Sequence, residues 1–242
     1  MKEIYYNAPA SLYAEFLQDD MSRTMALNNV RDYAAYIEWQ KLSNDYKDEK
    51  ERWSIVKKNL DLNEDDYHYM IQRGQQLANQ HSKGAYFSIS HDTFWDFYYN
   101  YKSDEECVLL IAYLALKSIC GRRSWAKTCN TMWLARMNGD TKPEWTTKKG
   151  EKVQKLSPGI AKYSTNYGTR RLRALLFEYY HVSFYAKSQR GFAFSTALSI
   201  RDLIMEIRNS QSEVKRIDDK LKAAIKKAEE TVNEESTNEL PF

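Results

Sequence analysis

Glycine and proline are scarce in this chain, eight and four among 242 residues. An all-β fold draws on these residues at every tight turn, so that class is excluded. Cysteine is scarcer: Cys107, Cys120 and Cys129, an odd number with no CxxC pair. That excludes a disulfide framework and a metal knuckle, and leaves free, buried thiols in a reducing cytoplasm as the expectation. No apolar run approaches the roughly 20 residues of a membrane span. The first residues, "MKEIYYNAPASLYAEF", show no basic region leading into an apolar core, so no secretory leader is expected either. Phosphate-cradling GxxxxGK[ST], HExxH and GxSxG are all absent. His68, His81, His91 and His181 are scattered along the chain. No cofactor, no metal site and no catalytic constellation are expected. A nuclease built from dispersed Asp and Glu stays open, to be tested by a magnesium-dependent cleavage assay.

What is present is helix-forming and aromatic. Leu, Ala, Lys, Glu and Met fill the long segments, and 18 tyrosines help to raise the aromatic share to 14%. Net charge is only +3, yet from Lys117 to Arg173 fourteen Lys and Arg face three acids. The last fourteen residues, "EETVNEESTNELPF", hold five Glu and no base. Such asymmetry suggests a nucleic-acid surface and an acidic tail, with a lysine-rich solvated face as the alternative.

Four regions follow. Residues 1–83 read as an N-terminal helical region: a short extended start, Pro9 opening "PASLYAEFLQ", and a stripe of Met21, Met25, Val30, Tyr33, Ile37 and Leu42. There "SNDYKDEKERW" reads as charged surface, and Asp65 or Asp66 as cap of "YHYMIQRGQQLANQ". Residues 84–209 form the second region. It opens on the alternating "GAYFSIS" and on "HDTFWDFYYNY", a helix enclosed by neighbours. "SDEECVLLIAYLALKSIC" follows, with Ser103 and Glu106 spaced as a capping box and Gly121 as a left-handed stop. "SWAKTCNTMWLARM" reads as one more helix capped by Ser124. Residues 138–157 are a basic insertion, read as an exposed loop. Residues 210–230 are a C-terminal amphipathic helix, with Val214, Ile217, Leu221, Ile225 and Ala228 recurring every three or four positions. Self-association as a homodimer and packing against the N-terminal region both remain open for it. Residues 231–242 read as a disordered acidic tail.

The informative stretch is "YSTNYGTRRLRALLFEYYHVSFYAKSQRGFAFS", Tyr163 to Ser195. "PGIAKYS" predicts a short helix with Pro in its first turn, "TNYG" a turn, and Thr169 the cap of "RRLRALLFEYY". Leu172, Leu175, Leu176 and Tyr179 would face inward, with Arg170, Arg171 and Arg173 on the opposite side. From His181 the rhythm becomes alternating, and "SQRG" predicts the turn of a β-hairpin.

Two short helices joined by a turn, then a hairpin with a basic tip, resemble the winged helix-turn-helix DNA-binding domain over Ser103 to Leu198. The resemblance implies a mainly α fold with a small β-hairpin wing, beside an N-terminal helical region and a C-terminal helix. It implies duplex DNA as partner, a recognition helix in the major groove and a wing on the backbone. The DNA-contacting residues would be Lys162, Asn166, Tyr167, Thr169, Arg170, Arg171, Arg173, Lys187, Gln189 and Arg190. Guanidinium forks take phosphates or guanine edges, Gln189 an adenine, and hydroxyls with the helix N-terminus at Thr169 a phosphate. The long insertion departs from the family's usual contiguity.

The ending "NEESTNELPF" resembles the C-terminal tip of bacterial single-stranded DNA-binding proteins. Leu240, Pro241 and Phe242 would then recruit replication proteins, with the Phe242 ring and carboxylate in a basic pocket. Two expectations emerge. One is a non-enzymatic, sequence-preferring duplex DNA binder, a regulator or a replication initiator or accessory factor of a bacterial, phage or plasmid system. The alternative is an adaptor that binds replication proteins through its helical regions and its Leu-Pro-Phe tip.

Overall fold

The computed structural model describes residues 3–17, 23–63, 67–81, 84–188 and 191–237, with side chains except at 187, 188, 215, 217, 218 and 223–237. Alternation decides its first element. In β1 (Tyr5–Pro9) Tyr6 and Ala8 are buried and Asn7 is exposed, as strand periodicity requires. Helix α1 (Ala10–Ala14) starts directly after Pro9, and a 3₁₀ turn, Glu15–Leu17, extends it.

Helix α2 (Arg23–Lys41) buries Ala26, Leu27, Val30, Tyr33 and Trp39. The expected stripe is met at Val30 and Tyr33. Met25, by contrast, is 52% exposed, and Met21 lies outside the described residues. Helix α3 (Glu49–Leu60) begins within the segment read as charged surface and runs beyond it. Asp48 caps it, accepting a hydrogen bond from the Glu51 N–H at 2.8 Å, and Trp53, Val56 and Leu60 form its buried side. Helix α4 (Tyr67–Gln80) follows; the cap expected at Asp65 or Asp66 lies outside the described residues.

Strand β2 (Tyr86–Ser90) pairs antiparallel with β1, with Ile89 opposite Tyr6 and Phe87 opposite Ala8. The N-terminal region is thereby sewn to the second one, and Met1–Ala197 form one compact unit. Helix α5 (His91–Tyr99) is less enclosed than its aromatics suggest: Phe94 is buried, but Tyr99 is 74% exposed.

Helix α6 (Asp104–Cys120) is the centre of the core, buried continuously from Cys107 to Ala112. Its capping box is complete. The Ser103 hydroxyl accepts from the Glu106 N–H at 3.3 Å, and the Glu106 carboxylate accepts from the Ser103 N–H at 2.8 Å. Gly121 ends the helix with φ 60 and ψ −126, a positive φ but not the left-handed helical conformation expected.

The next segment departs most from its reading. "SWAKTCNTMWLARM" is not one helix capped by Ser124. Ala126–Thr128 are strand β3, and helix α7 (Asn130–Met137) begins after Cys129. The basic insertion is likewise more than a loop. It holds an antiparallel hairpin, β4 (Trp145–Lys148) and β5 (Glu151–Gln154), turned by Lys149 and Gly150 at φ 51 and 82. Short helix α8 (Pro158–Ala161) and helix α9 (Asn166–Tyr180) come next, then strands β6 (Ser183–Ser188) and β7 (Gly191–Ser195).

The expected hairpin is present, and it has a third member. β7 pairs with β6 on one side and β3 on the other, in the order β3–β7–β6. The fold is thus mainly helical with small antiparallel sheets, as composition predicts.

The second unit, Leu198–Phe242, carries helix α10 (Ile200–Thr237). The Ser199 hydroxyl accepts from the Asp202 N–H at 3.2 Å, a cap at its start. Leu203 and Ile207 are buried, while Val214 and Leu221 are exposed. One unbroken helix spans the boundary drawn near 209 and continues into the segment read as disordered tail. No helix among the described residues is long and apolar enough to cross a membrane.

Candidate nucleic-acid interface

Helix α9 begins four residues earlier than a cap at Thr169 suggested. Thr165 is its N-cap, its hydroxyl accepting from the Gly168 N–H at 3.0 Å. Gly168 in that first turn has no room for a side chain, since a Cβ there would stand 2.7 Å from the Tyr163 Cα. The turn after α8 is therefore packed backbone to backbone. Thr169 itself is 1% exposed. Its hydroxyl donates back to the Thr165 carbonyl at 3.1 Å and accepts from Asn130 Nδ2 at 3.3 Å. A buried, doubly bonded hydroxyl holds α9 against α7 and is not presented to a phosphate.

Leu172 and Leu176 are fully buried and Leu175 is half-buried, as the helical spacing requires. Tyr179 departs from it at 64% exposure and lines a cleft, while Tyr180 beside it stacks on Tyr113. The outer face carries Asn166, Tyr167, Arg170, Arg171, Ala174, Phe177 and Glu178, all exposed. His181 closes the helix as a left-handed cap, φ 53 and ψ 29, its N–H donating to the Leu176 carbonyl.

The three arginines part company. Arg170 is exposed and has no ion pair among the described residues. Arg171 reaches the Glu105 carboxylate at 2.6 Å, tying α9 to the first turn of α6. Arg173 is half-buried, its guanidinium 5.1 Å from the ring centroid of Phe192 in the hairpin. Burial, and then the charge of Arg170, lower its pKa from the ordinary arginine value. Lys162 is exposed, with Nζ 5.4 Å over the Tyr163 ring. The hairpin is anchored by Phe192 and Phe194, and Ser195 Oγ donates to the Ser124 carbonyl at 2.7 Å. Gln189, Arg190 and the Lys187 side chain lie outside the described residues, as do Leu240, Pro241 and Phe242 at the C-terminal tip.

The fold also brings together groups that looked scattered. Ser11 Oγ is 2.9 Å from His81 Nδ1, and His81 Nε2 is 3.9 Å from Glu15 Oε1. Burial raises the Glu15 pKa despite a hydrogen bond from Asn29. The trio links α1 and the 3₁₀ turn after it to the residue that follows α4. A cleft of about 670 Å³ lies where α5, α6 and α9 meet, lined by Asp92, Asp96, Phe97, Glu105 and Tyr179 among others. Its acids are largely engaged: Asp96 with Lys102 at 2.6 Å, Glu105 with Arg171. Among the described residues no group of His, Cys, Asp and Glu could hold a metal ion. No protein-family model, curated protein or solved structure matches this chain, which leaves geometry and charge to carry the functional reading.

Proposed function

We propose that this protein is a non-enzymatic, sequence-preferring binder of duplex DNA, built as a winged helix-turn-helix and serving as a regulator or replication factor of a bacterial, phage or plasmid system. One observation carries the reading. The order α6, β3, α7, α8, α9, β6, β7, interrupted by the β4–β5 hairpin between α7 and α8 and with β7 central in its sheet, is the order expected of a helix-turn-helix followed by a wing. In that arrangement α9 is the recognition helix. Its outer face supports the assignment: Asn166, Tyr167 and Arg170 are exposed near its N-terminus, the end that meets base edges. The neighbouring Arg171 and Arg173 set the pose of α9 on α6 and on the hairpin, and Arg170 is the reader.

Equilibrium binding to a duplex selected from a random pool tests this. Affinity should fall steeply with salt, because phosphate contacts release counterions. Arg170→Ala should cost about 1–3 kcal/mol and relax specificity. Binding that ignores salt, or an Arg170→Ala variant as selective as the parent, would refute it. The adaptor reading draws its own support from the cleft at α5, α6 and α9, where the exposed Tyr179 lies beside a partly acidic wall.

A further inference from the structure

We propose that the β4–β5 hairpin is a second duplex-contacting arm, its lysines taking the sugar-phosphate backbone beside the groove that α9 enters. The inference rests on the reading of α9 given above. Two observations of the hairpin itself lead to it.

The first is its root. Gln154 Nε2 donates to the Thr131 carbonyl at 2.9 Å, in the first turn of α7, and the Ser157 N–H donates to Asn138 Oδ1 at 2.8 Å, at the other end of α7. Asn130, beside Thr131, bonds to Thr169, the neighbour of Arg170. The hairpin is thus held at both ends of α7, and the first turn of α7 is bonded to the first turn of α9. An arm sprouting there stands on the N-terminal side of α9.

The second is what the arm presents. Every residue from Thr147 to Val153 is exposed, and Trp145 is 48% exposed. A two-stranded hairpin with neither face buried gains little from its own packing, so core packing does not account for it. Its cations surround the tip. The register pairs Thr147 with Lys152 and Lys148 with Glu151, so Lys148 and Lys152 point to opposite faces and Lys149 sits in the turn. None of the three has an ion pair among the described residues, whereas Lys155 at the root is 3.4 Å from Glu144. Lys152 Nζ lies 5.5 Å from the Trp145 ring centroid, which steadies that ammonium. Lysines as point charges on an exposed tip suit phosphates, which position a protein without reading sequence.

The test uses the full chain and two probes, a fluorescent random duplex and a single strand of the same length. In Lys148→Ala/Lys149→Asn/Lys152→Ala, Asn tolerates the positive φ of position 149. This variant should bind the duplex about tenfold or more weaker, with a salt slope smaller by about one for each phosphate that the lysines neutralise in the parent. Its preference for a selected site should be unchanged. The Arg counterpart at all three positions should restore binding, which a merely structural role of the lysines would not predict. A parent that binds duplex while the triple variant matches it in affinity and slope overturns the inference and leaves the reading of α9 intact. A deficit confined to the single strand overturns it as well. A parent with no salt-dependent duplex binding overturns the reading of α9 first.

Discussion

Arg170, Arg171 and Arg173 carry the same charge within four residues, and their surroundings give each a different task. One is open to solvent, one is spent on Glu105 and one rests on Phe192. Ser103 shows the same dependence on partners in a form that can be measured. The Ser103 N–H, then its hydroxyl, hold the Glu106 carboxyl below the usual carboxylate range. Ser103→Ala should cost about 1 kcal/mol at neutral pH. A lowered folded-state pKa contributes stability above the unfolded value, and that stability is lost as pH falls through the folded one. The gap between parent and variant in thermal melts should therefore narrow in acid. A gap independent of pH would mean that the Ser103 hydroxyl does not hold the Glu106 carboxylate, whose bond to the backbone N–H the variant keeps. Ser103 and Glu106 were legible as a pair because capping is local. Thr169 was not, because two threonines four apart both suit a cap, and only the contact with Asn130 decides which of them is buried.

Among the elements, long periodic helices are what a sequence announces best. Helices α2, α4, α6 and α9 follow from apolar spacing, although α9 starts earlier than its arginines suggest. Helix α3 was hidden by its charges, since Trp53, Ile55, Val56 and Leu60 are its four apolar positions in a largely polar run. Strand β3 was hidden by its length: three residues have no period, and they are a strand because β7 supplies the partner. The β4–β5 hairpin was hidden by its polarity, since with neither face buried it shows no apolar alternation to read. Packing between α2 and α4 offers a test at this scale. A Cβ on Gly74 would lie 2.2 Å from the Asp32 carbonyl oxygen and 2.5 Å from Tyr36 Cβ. Gly74→Ala should therefore destabilise the protein by about 1–3 kcal/mol through overpacking, despite alanine's better helix propensity. Denaturant titration checks it. A stabilised variant would mean that α2 and α4 are not in backbone contact.

For the whole molecule, charge is the organising quantity. An excess of eleven cations between Lys117 and Arg173 coexists with a net charge of only +3, because acids are gathered elsewhere, including the C-terminal end. The proposed duplex binding depends on that excess and the adaptor reading on the tip. Deleting Leu240 to Phe242 should accordingly leave duplex affinity within about twofold, well inside the ~1.4 kcal/mol that a factor of ten represents. Capture of replication proteins should be abolished if the tip recruits them. Filter binding and a pull-down from the same preparation measure both, and loss of duplex binding on that deletion would tie the tip to DNA.

The chain's order of residues was sufficient for the helical class, the central helix behind Ser103, the β6–β7 hairpin and the basic stretch, because each rests on local spacing, capping or composition. Tertiary structure alone decided that β3 completes a sheet, that Thr169 is buried, that Arg171 and Arg173 are bound to their surroundings while Arg170 is open, and that an exposed lysine hairpin is rooted beside the first turn of α9. Those outcomes depend on which surfaces meet, and partners far apart in the chain leave no period in either segment.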